Sequence, residues 1–498
     1  MLKRLNRTED SLRTQSALLF LGHVASFVVQ LAVPVLLVRL LSRPEYGVYQ
    51  LALTVTSTAV LLLGMGLRPS LYYFYPTVGD RKPQVLTQTV YLTVGVATAA
   101  LGVFLVVLPW VPTEHTTADR LILLQIAGVT YFISISSLIG DVFILQAKAL
   151  LNAFYLVAEQ IVRACFVLVP ALLFATVHHA LWGLLCFYLL RTAALFLYLR
   201  LSCGAFGKVH DFDLVRRQIA YVLPLGGSSL IAVVRTKLDR FLVSGLLGVT
   251  PFAAYSVASY NVPVLQMLYH SIFQVAMPRL SRHAAEGEKA AAHALWQTLV
   301  EKAALVTLPC VLYMAVMGEQ VISLLFTPQY LDALPAYRVF LCVPLVQMMG
   351  HGLIARAFGN TRVYLTAGVL ALIPAVVLGV TFTKTWGITG AAAAAVISFG
   401  LSTSIILRAE KKILGLRFRE WFPIRPLAEM SALSVLAMVP VAAFLLAWGA
   451  LGNVAALAVT APAYALLVGV LYRLGGHLPV DGPALRSFLR KLYPRQAG

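Results

Sequence analysis

The chain has 498 residues, 60% of them hydrophobic and only 12% charged, with a mean hydropathy of +0.83. Soluble domains carry about 25% charged residues, so the composition excludes a soluble globular protein and indicates an all-α polytopic membrane protein. Five cysteines without CxxC spacing or a neighbouring histidine cluster imply no disulfide framework and no metal site.

In chain order, Lys3, Arg4, Arg7 and Arg13 precede an apolar run from Ser16 to Leu41. That run is too long for a signal peptide and lacks a small-x-small cleavage site. It reads as the first spanning helix, after a cytoplasmic interfacial segment over residues 1–14. Apolar runs long enough to cross a bilayer recur about fourteen times. They fall near 15–41, 47–67, 86–109, 119–146, 150–176, 179–201, 217–246, 252–279, 292–317, 333–357, 361–383, 387–408, 426–449 and 451–473. Turn residues mark the breaks, among them Arg43-Pro44-Glu45, Thr250-Pro251 and Phe422-Pro423.

With the N-terminus inside, 28 of the lysines and arginines fall on cytoplasmic segments and 4 outside. This positive-inside bias fixes the orientation, with both termini cytoplasmic. It also accounts for most of the net charge of +19 without a nucleic-acid partner, since the basic loops lie against an anionic leaflet. A shift of 206 residues superposes 40–52 on 246–258: Leu40, Leu41, Tyr49 and Ala52 recur identically and Tyr46 meets Phe252. The repeat predicts an N-lobe over 15–201 (helices 1–6) and a C-lobe over 217–408 (helices 7–12). They are joined by a cytoplasmic linker over 202–216 and share a site where they meet. A second cytoplasmic linker (409–425), helices 13 and 14 (426–473) and a cytoplasmic tail (474–498) follow.

Seven cations fall inside spans: Arg163, Arg191, Arg235, Lys237, Arg240, Lys302 and Arg338, with Arg39 at the outer end of the first. A charge near the bilayer centre costs about 2.5–3.5 kcal/mol, so such residues face protein or water. Arg39, Arg240 and Arg338 lie near outer ends, where snorkelling to the headgroups explains them as well as a site does. Arg163 has Glu159 four residues before it and Arg235 has Asp239 four residues after, spacings that suit helix-surface ion pairs. Arg191, Lys237 and Lys302 lack such an acid, although Glu301 adjoins Lys302, and they are the foremost cavity candidates. The embedded acids, Asp141, Glu159, Asp239 and Glu301, are outnumbered. A chamber built from these groups is cationic, and its ligand is a compact anion. Gln30, Gln125, Gln160, Gln266, Gln274 and Gln347, with Tyr131, Tyr155 and Tyr269, offer polar and aromatic walls. For His23, His270 and His351 a structural hydrogen bond is the ordinary role. Pro34, Pro224, Pro263 and Pro374 are bending points or static kinks.

The stretch Val38-Arg39-Leu40-Leu41-Ser42-Arg43-Pro44-Glu45-Tyr46-Gly47-Val48-Tyr49 resembles the signature of polysaccharide flippases. So do Lys237-Leu238-Asp239-Arg240-Phe241-Leu242, Met277-Pro278-Arg279-Leu280-Ser281 and Trp386-Gly387-Ile388-Thr389-Gly390. The resemblance covers helices 1–12 and implies the MATE-like fold of the multidrug/oligosaccharidyl-lipid/polysaccharide (MOP) superfamily. It further implies a Wzx-type flippase that moves undecaprenyl-pyrophosphate-linked oligosaccharide across the bacterial inner membrane and works beside polymerase and export machinery. Arg39, Arg163, Arg191, Arg235, Lys237 and Lys302 then form the substrate-binding group, and Glu159, Asp239, Arg240 and Glu301 the coupling and charge-pair group. No cofactor is expected, and proton and sodium coupling both stay open. A lipid II flippase shares fold and charge. A multidrug cation antiporter favours an acid-rich chamber, against the count here. A ligase or polymerase needs a large outer loop that the spans leave no room for, and no nucleotide-binding or hydrolase motif occurs.

Overall fold

A computed structural model describes residues 26, 28–64, 67–108, 120–146, 148–204, 212–260, 263–360, 362–447 and 452–477. The N-terminal interfacial segment, the start of the first span, His23 and nearly all of the C-terminal tail lie outside them. Every regular element among the described residues is helical. This follows from the apolar runs, since only a helix satisfies its own backbone hydrogen bonds in lipid. Among the described residues, nine helices are long and apolar enough to cross a membrane, and the chain is a multi-pass membrane protein.

The described residues fall into two compact units, Met1–Ser256 with Leu378–Ala391, and Val257–Val377 with Ala392–Gly498. The first contains α1 (Val28–Leu40), α2 (Arg43–Gly64), α3 (Leu67–Phe74), α4 (Lys82–Val107), α5 (Arg120–Ser136), α6 (Leu138–Leu145), α7 (Ala149–Phe174), α8 (Val177–Ser202) and α9 (Phe212–Leu247). The joint expected near Lys148 is a short break before α7, where Lys148 Nζ donates to Tyr198 Oη at 2.8 Å. That bond pushes the ammonium pKa upward. Helix α9 is held to its neighbours by buried Gln218, whose Nε2 donates to Ser70 Oγ (2.9 Å) on α3 and Thr89 Oγ1 (2.8 Å) on α4.

The first copy of the internal repeat and residues 246–256 of the second stand in this unit. After α1 and α9 the chain breaks for one or two residues and restarts, at Arg43 and at α10 (Val249–Ala258). Tyr46, Tyr49, Ala52, Phe252, Tyr255 and Ala258 are all buried. Gly47 packs so closely on the second copy that a Cβ there would sit 2.1 Å from the Val249 carbonyl oxygen. Gly47→Ala is therefore expected to destabilise the protein by about 1–3 kcal/mol through a backbone clash. Gly95→Ala, in open space on α4, is expected to be neutral or mildly stabilising. Melting of the purified variants checks the contrast, and equal melting points would refute the close contact.

The second unit contains α11 (Pro263–Ala285), α12 (Lys289–Val316), α13 (Gly318–Phe326), α14 (Leu334–Phe340), α15 (Cys342–Gln347), α16 (Leu353–Ala357), α18 (Phe418–Trp421), α19 (Ile424–Ala447), α20 (Asn453–Leu474) and most of α17 (Arg362–Leu414). The single span expected over 333–357 is here a run of three short helices. It is broken at 348–352, where Gly350 and Gly352 take φ of 56° and 92°. Those left-handed angles suit glycine and end an α-helix. Conversely, the spans expected over 361–383 and 387–408 are joined within α17 by one residue, Gly387, at φ 59° and ψ −140°. The resembling Trp386–Gly390 stretch thus has a local reason: Gly387 reverses the chain, and a Cβ at Gly390 would strike the Phe382 carbonyl. The linker predicted over 409–425 docks by Trp421, stacked on Trp296 of α12 at 4.3 Å, with His293 Nε2 at 2.8 Å from the Trp421 carbonyl.

Candidate functional site

Two embedded cations of the first unit approach α2. Arg163 of α7 is half-buried; its Nη2 donates to Gln160 Oε1 at 2.5 Å, and Tyr49 of α2 and Tyr188 lie beside it. Lys237 Nζ of α9 donates to Ser57 Oγ of α2 at 3.3 Å. Tyr49 and Ser57 are two turns apart, about 12 Å along the helix. Arg235 and Arg240 are half-buried on α9. Among the described residues, Arg163, Arg235, Lys237 and Arg240 form no ion pair.

The acids are partnered differently from the helix-spacing expectation. Glu159 pairs with Arg191 across α7 and α8, Nη1 to Oε1 at 2.8 Å, with only 13% and 11% of the two side chains exposed. It does not pair with Arg163. The Arg191 guanidinium also lies 5.9 Å from both the Tyr155 and Tyr188 ring centres. Arg191 is therefore a compensated cation, although its Nε has no partner. Asp239 accepts from Tyr255 Oη at 2.6 Å instead of pairing with Arg235. Asp141 is held by a cation that the sequence places in a cytoplasmic segment: Arg68 Nε and Nη2 reach its two oxygens at 2.6 and 2.9 Å, and Tyr72 Oη donates at 3.0 Å. With Asp141 and Glu159 paired and Asp239 tied to a phenol, the surplus of positive charge in this unit resides on α7 and α9.

Arg68 also lines a cavity of about 450 Å³ together with Thr93, Ser134, Ser137, Tyr221 and Val233. An apolar slot of about 220 Å³ lined by α2, α4 and α5 adjoins it and shares Leu63. The cavity wall is mainly apolar, with Val60, Leu61, Leu67 and Leu138, and its one guanidinium, that of Arg68, is already paired with Asp141. Arg68 escaped the sequence reading because it lies one residue past the expected end of the second span. The signal that could have found it is Asp141, a buried acid with no base four residues away on its own helix.

The remaining candidates lie elsewhere. Arg39 is exposed on α1 and Lys302 is exposed on α12 in the second unit, beside half-buried Glu301. Arg338 is exposed and its Nε donates to the Ala315 carbonyl at 3.1 Å. Of the polar walls, Gln125 is buried and donates to the His178 carbonyl at 3.1 Å, and Gln30 is exposed. Gln266, Tyr269, Gln274 and Gln347 are brought together in the second unit, in a pocket of about 350 Å³.

Residues 36–335 match the model of a family described as polysaccharide biosynthesis protein. No curated protein matches the chain at a significant level. The fold is similar to that of the lipid II flippase MurJ in an inward closed conformation, with a TM-score of 0.71 at 14% identity over 91% of this chain and 99% of that one. It is also similar to a MOP superfamily transporter from Pyrococcus furiosus for which a binding pocket of reverse polarity has been described (TM-score 0.56, 13% identity, 80% and 94% covered). A multidrug resistance MATE family transporter in an inward-facing conformation gives a TM-score of 0.56 at 15% identity over 78% and 94%. The chain shares the MATE-like fold of these transporters, as the resemblance implies.

Proposed function

Because the chain belongs to the polysaccharide biosynthesis protein family, we propose that it carries undecaprenyl-pyrophosphate-linked oligosaccharide across the bacterial cytoplasmic membrane by alternating access. The cargo would serve surface or exopolysaccharide assembly and pass on to a polymerase or export machinery. The observation that carries this reading is the set of four half-buried cations, Arg163, Arg235, Lys237 and Arg240, with no carboxylate paired to them among the described residues. An uncompensated cation in a low-dielectric site binds a phosphate strongly. A carrier of cationic drugs gains nothing from such a group, because like charges repel. The protein supplies binding and movement, with no bond made or broken. Proton or sodium coupling belongs to the same proposal, and Glu159 and Asp239 are the embedded carboxylates of the first unit available to it.

A lipid II flippase is the second reading, favoured by the pyrophosphate chemistry that both cargoes share. Purified protein in liposomes separates the two. Fluorescent undecaprenyl-pyrophosphate-linked oligosaccharide is expected to become accessible on the far leaflet, and lipid II and a cationic dye are expected to stay in place. Transfer of lipid II alone, or uptake of the dye, would overturn the proposal.

A further inference from the structure

The pocket of the second unit has a different chemistry from the cationic group. Helix α11 presents Gln266, Tyr269, Phe273 and Gln274 to it, at spacings that fall on one helix face. The rest of the lining comes from Gln347 at the end of α15, Gly350 and His351 in the break after it, and Leu353 and Arg356 of α16. Irregular backbone at membrane depth occurs where it is buried in protein or lines a cavity, and this break lines one. Phe273 is stacked parallel on Tyr269 at 6.1 Å, and Tyr269 Oη is already engaged by Thr307 and the Pro344 carbonyl. What Tyr269 offers to the pocket is therefore its ring. The amides of Gln266 and Gln347 make no hydrogen bond among the described residues.

The wall is held in place from behind. Glu410 of α17, fully buried, accepts from the Ala355 backbone N–H at 3.0 Å and so fixes the first turn of α16. Tyr364 Oη donates to the Gly352 carbonyl at 2.5 Å and accepts from Arg356 Nε at 2.9 Å. Arg356 is thereby positioned over the Tyr364 ring at 5.3 Å, and its terminal nitrogens make no hydrogen bond among the described residues. The described lining holds no carboxylate.

We propose that this pocket is a carbohydrate subsite that takes one sugar residue bearing an anionic substituent, such as a uronic acid. Its volume, about 350 Å³, lies at the small end of ligand pockets. Free amides both donate and accept, which matches sugar hydroxyls. The parallel aromatic rings offer a face to the C–H groups of a pyranose. Arg356 selects a carboxylate by planar, bidentate contact. A hydrocarbon tail would leave these amides unpaired. The inference deepens the proposed function and rests on it for the glycan, but the outcomes that overturn it are read from binding alone.

Binding of D-glucuronate and D-glucose to the purified full chain in detergent, followed by saturation-transfer NMR, tests it. Glucuronate is expected to bind more tightly than glucose, and mannitol not at all. Gln266→Leu and Gln347→Leu, in preparations that melt as the parent does, are expected to weaken both sugars at least fivefold. Arg356→Gln is expected to abolish the preference for glucuronate and retain glucose, and Arg163→Gln to change neither. Sugar binding no stronger than that of mannitol would overturn the proposal, as would undiminished binding in both glutamine variants. Displacement of glucose by inorganic pyrophosphate at equal concentration would also overturn it, by making the pocket a second phosphate site. Loss of transport in Arg163→Gln with sugar binding intact supports both readings separately.

Discussion

Replacing Arg163, Arg235 or Lys237 with glutamine is expected to slow transfer of the lipid-linked glycan by about 10- to 100-fold each. That range follows from the worth of a hydrogen bond to a charged group, about 1.5–3 kcal/mol. The reason lies in what each cation lacks. Arg163 is held by an amide and two tyrosines, Lys237 by a serine, and Arg235 has no hydrogen bond or ion pair among the described residues. None has its charge cancelled, so each is free to engage an incoming phosphate. Conservative exchanges sharpen the test. Lys237→Arg preserves the charge and is expected to keep most of the rate, whereas Arg163→Lys loses the planar fork that grips two phosphate oxygens and is expected to lose part of it. Transfer is read in liposomes, and folding by the elution profile in detergent. Parental rates in all three glutamine variants would remove the cationic group from the mechanism.

Membrane class, helical fold and family are legible in the sequence because they rest on composition, run length and short motifs that no tertiary contact needs to complete. Within the two similar stretches Tyr46, Tyr49, Phe252 and Tyr255 are buried, and Gly47 packs closely on Val249. What hydropathy does not reveal is where a span is broken from within. Residues 333–357 are apolar enough to read as one helix, yet Gly350 and Gly352 turn the chain through left-handed angles there. Nor does hydropathy distinguish the exposed linker it predicts over 409–425 from the buried end of α17, where Glu410 sits. Charge pairing is the other gap. Spacing of four along one helix proposes Glu159 with Arg163, but α7 and α8 form a hairpin turning at Ala175 and Thr176. Glu159 lies sixteen residues before Ala175 and Arg191 sixteen after it. Equal distances from a tight turn bring two side chains to one depth, so the cross-helix pair is readable once the turn is recognised.

That pair carries the second large effect, on stability. Arg191→Ala is expected to destabilise the protein by about 3–5 kcal/mol, because it strands the Glu159 carboxylate in a nearly buried site. The loss extends beyond charge, since the Arg191 guanidinium also lies close to the rings of Tyr155 and Tyr188. Desolvation of two ions offsets much of their attraction, so removing both together is far milder than removing one. The double variant Glu159→Leu with Arg191→Met is expected to melt close to the parent, and the single variants well below it. The pair Arg425–Glu429 gives the contrasting case: its side chains are 91% and 46% exposed, and Arg425→Ala is expected to cost no more than about 1 kcal/mol. Detergent melting curves of these five variants decide the matter. If Arg191→Ala melts like Arg425→Ala and yet transfers no glycan, Arg191 belongs with Arg163 and Lys237 as a ligand of the headgroup. A large stability loss that the double variant repairs, with transfer restored, instead makes the pair part of the scaffold that aligns α7 and α8 behind Arg163.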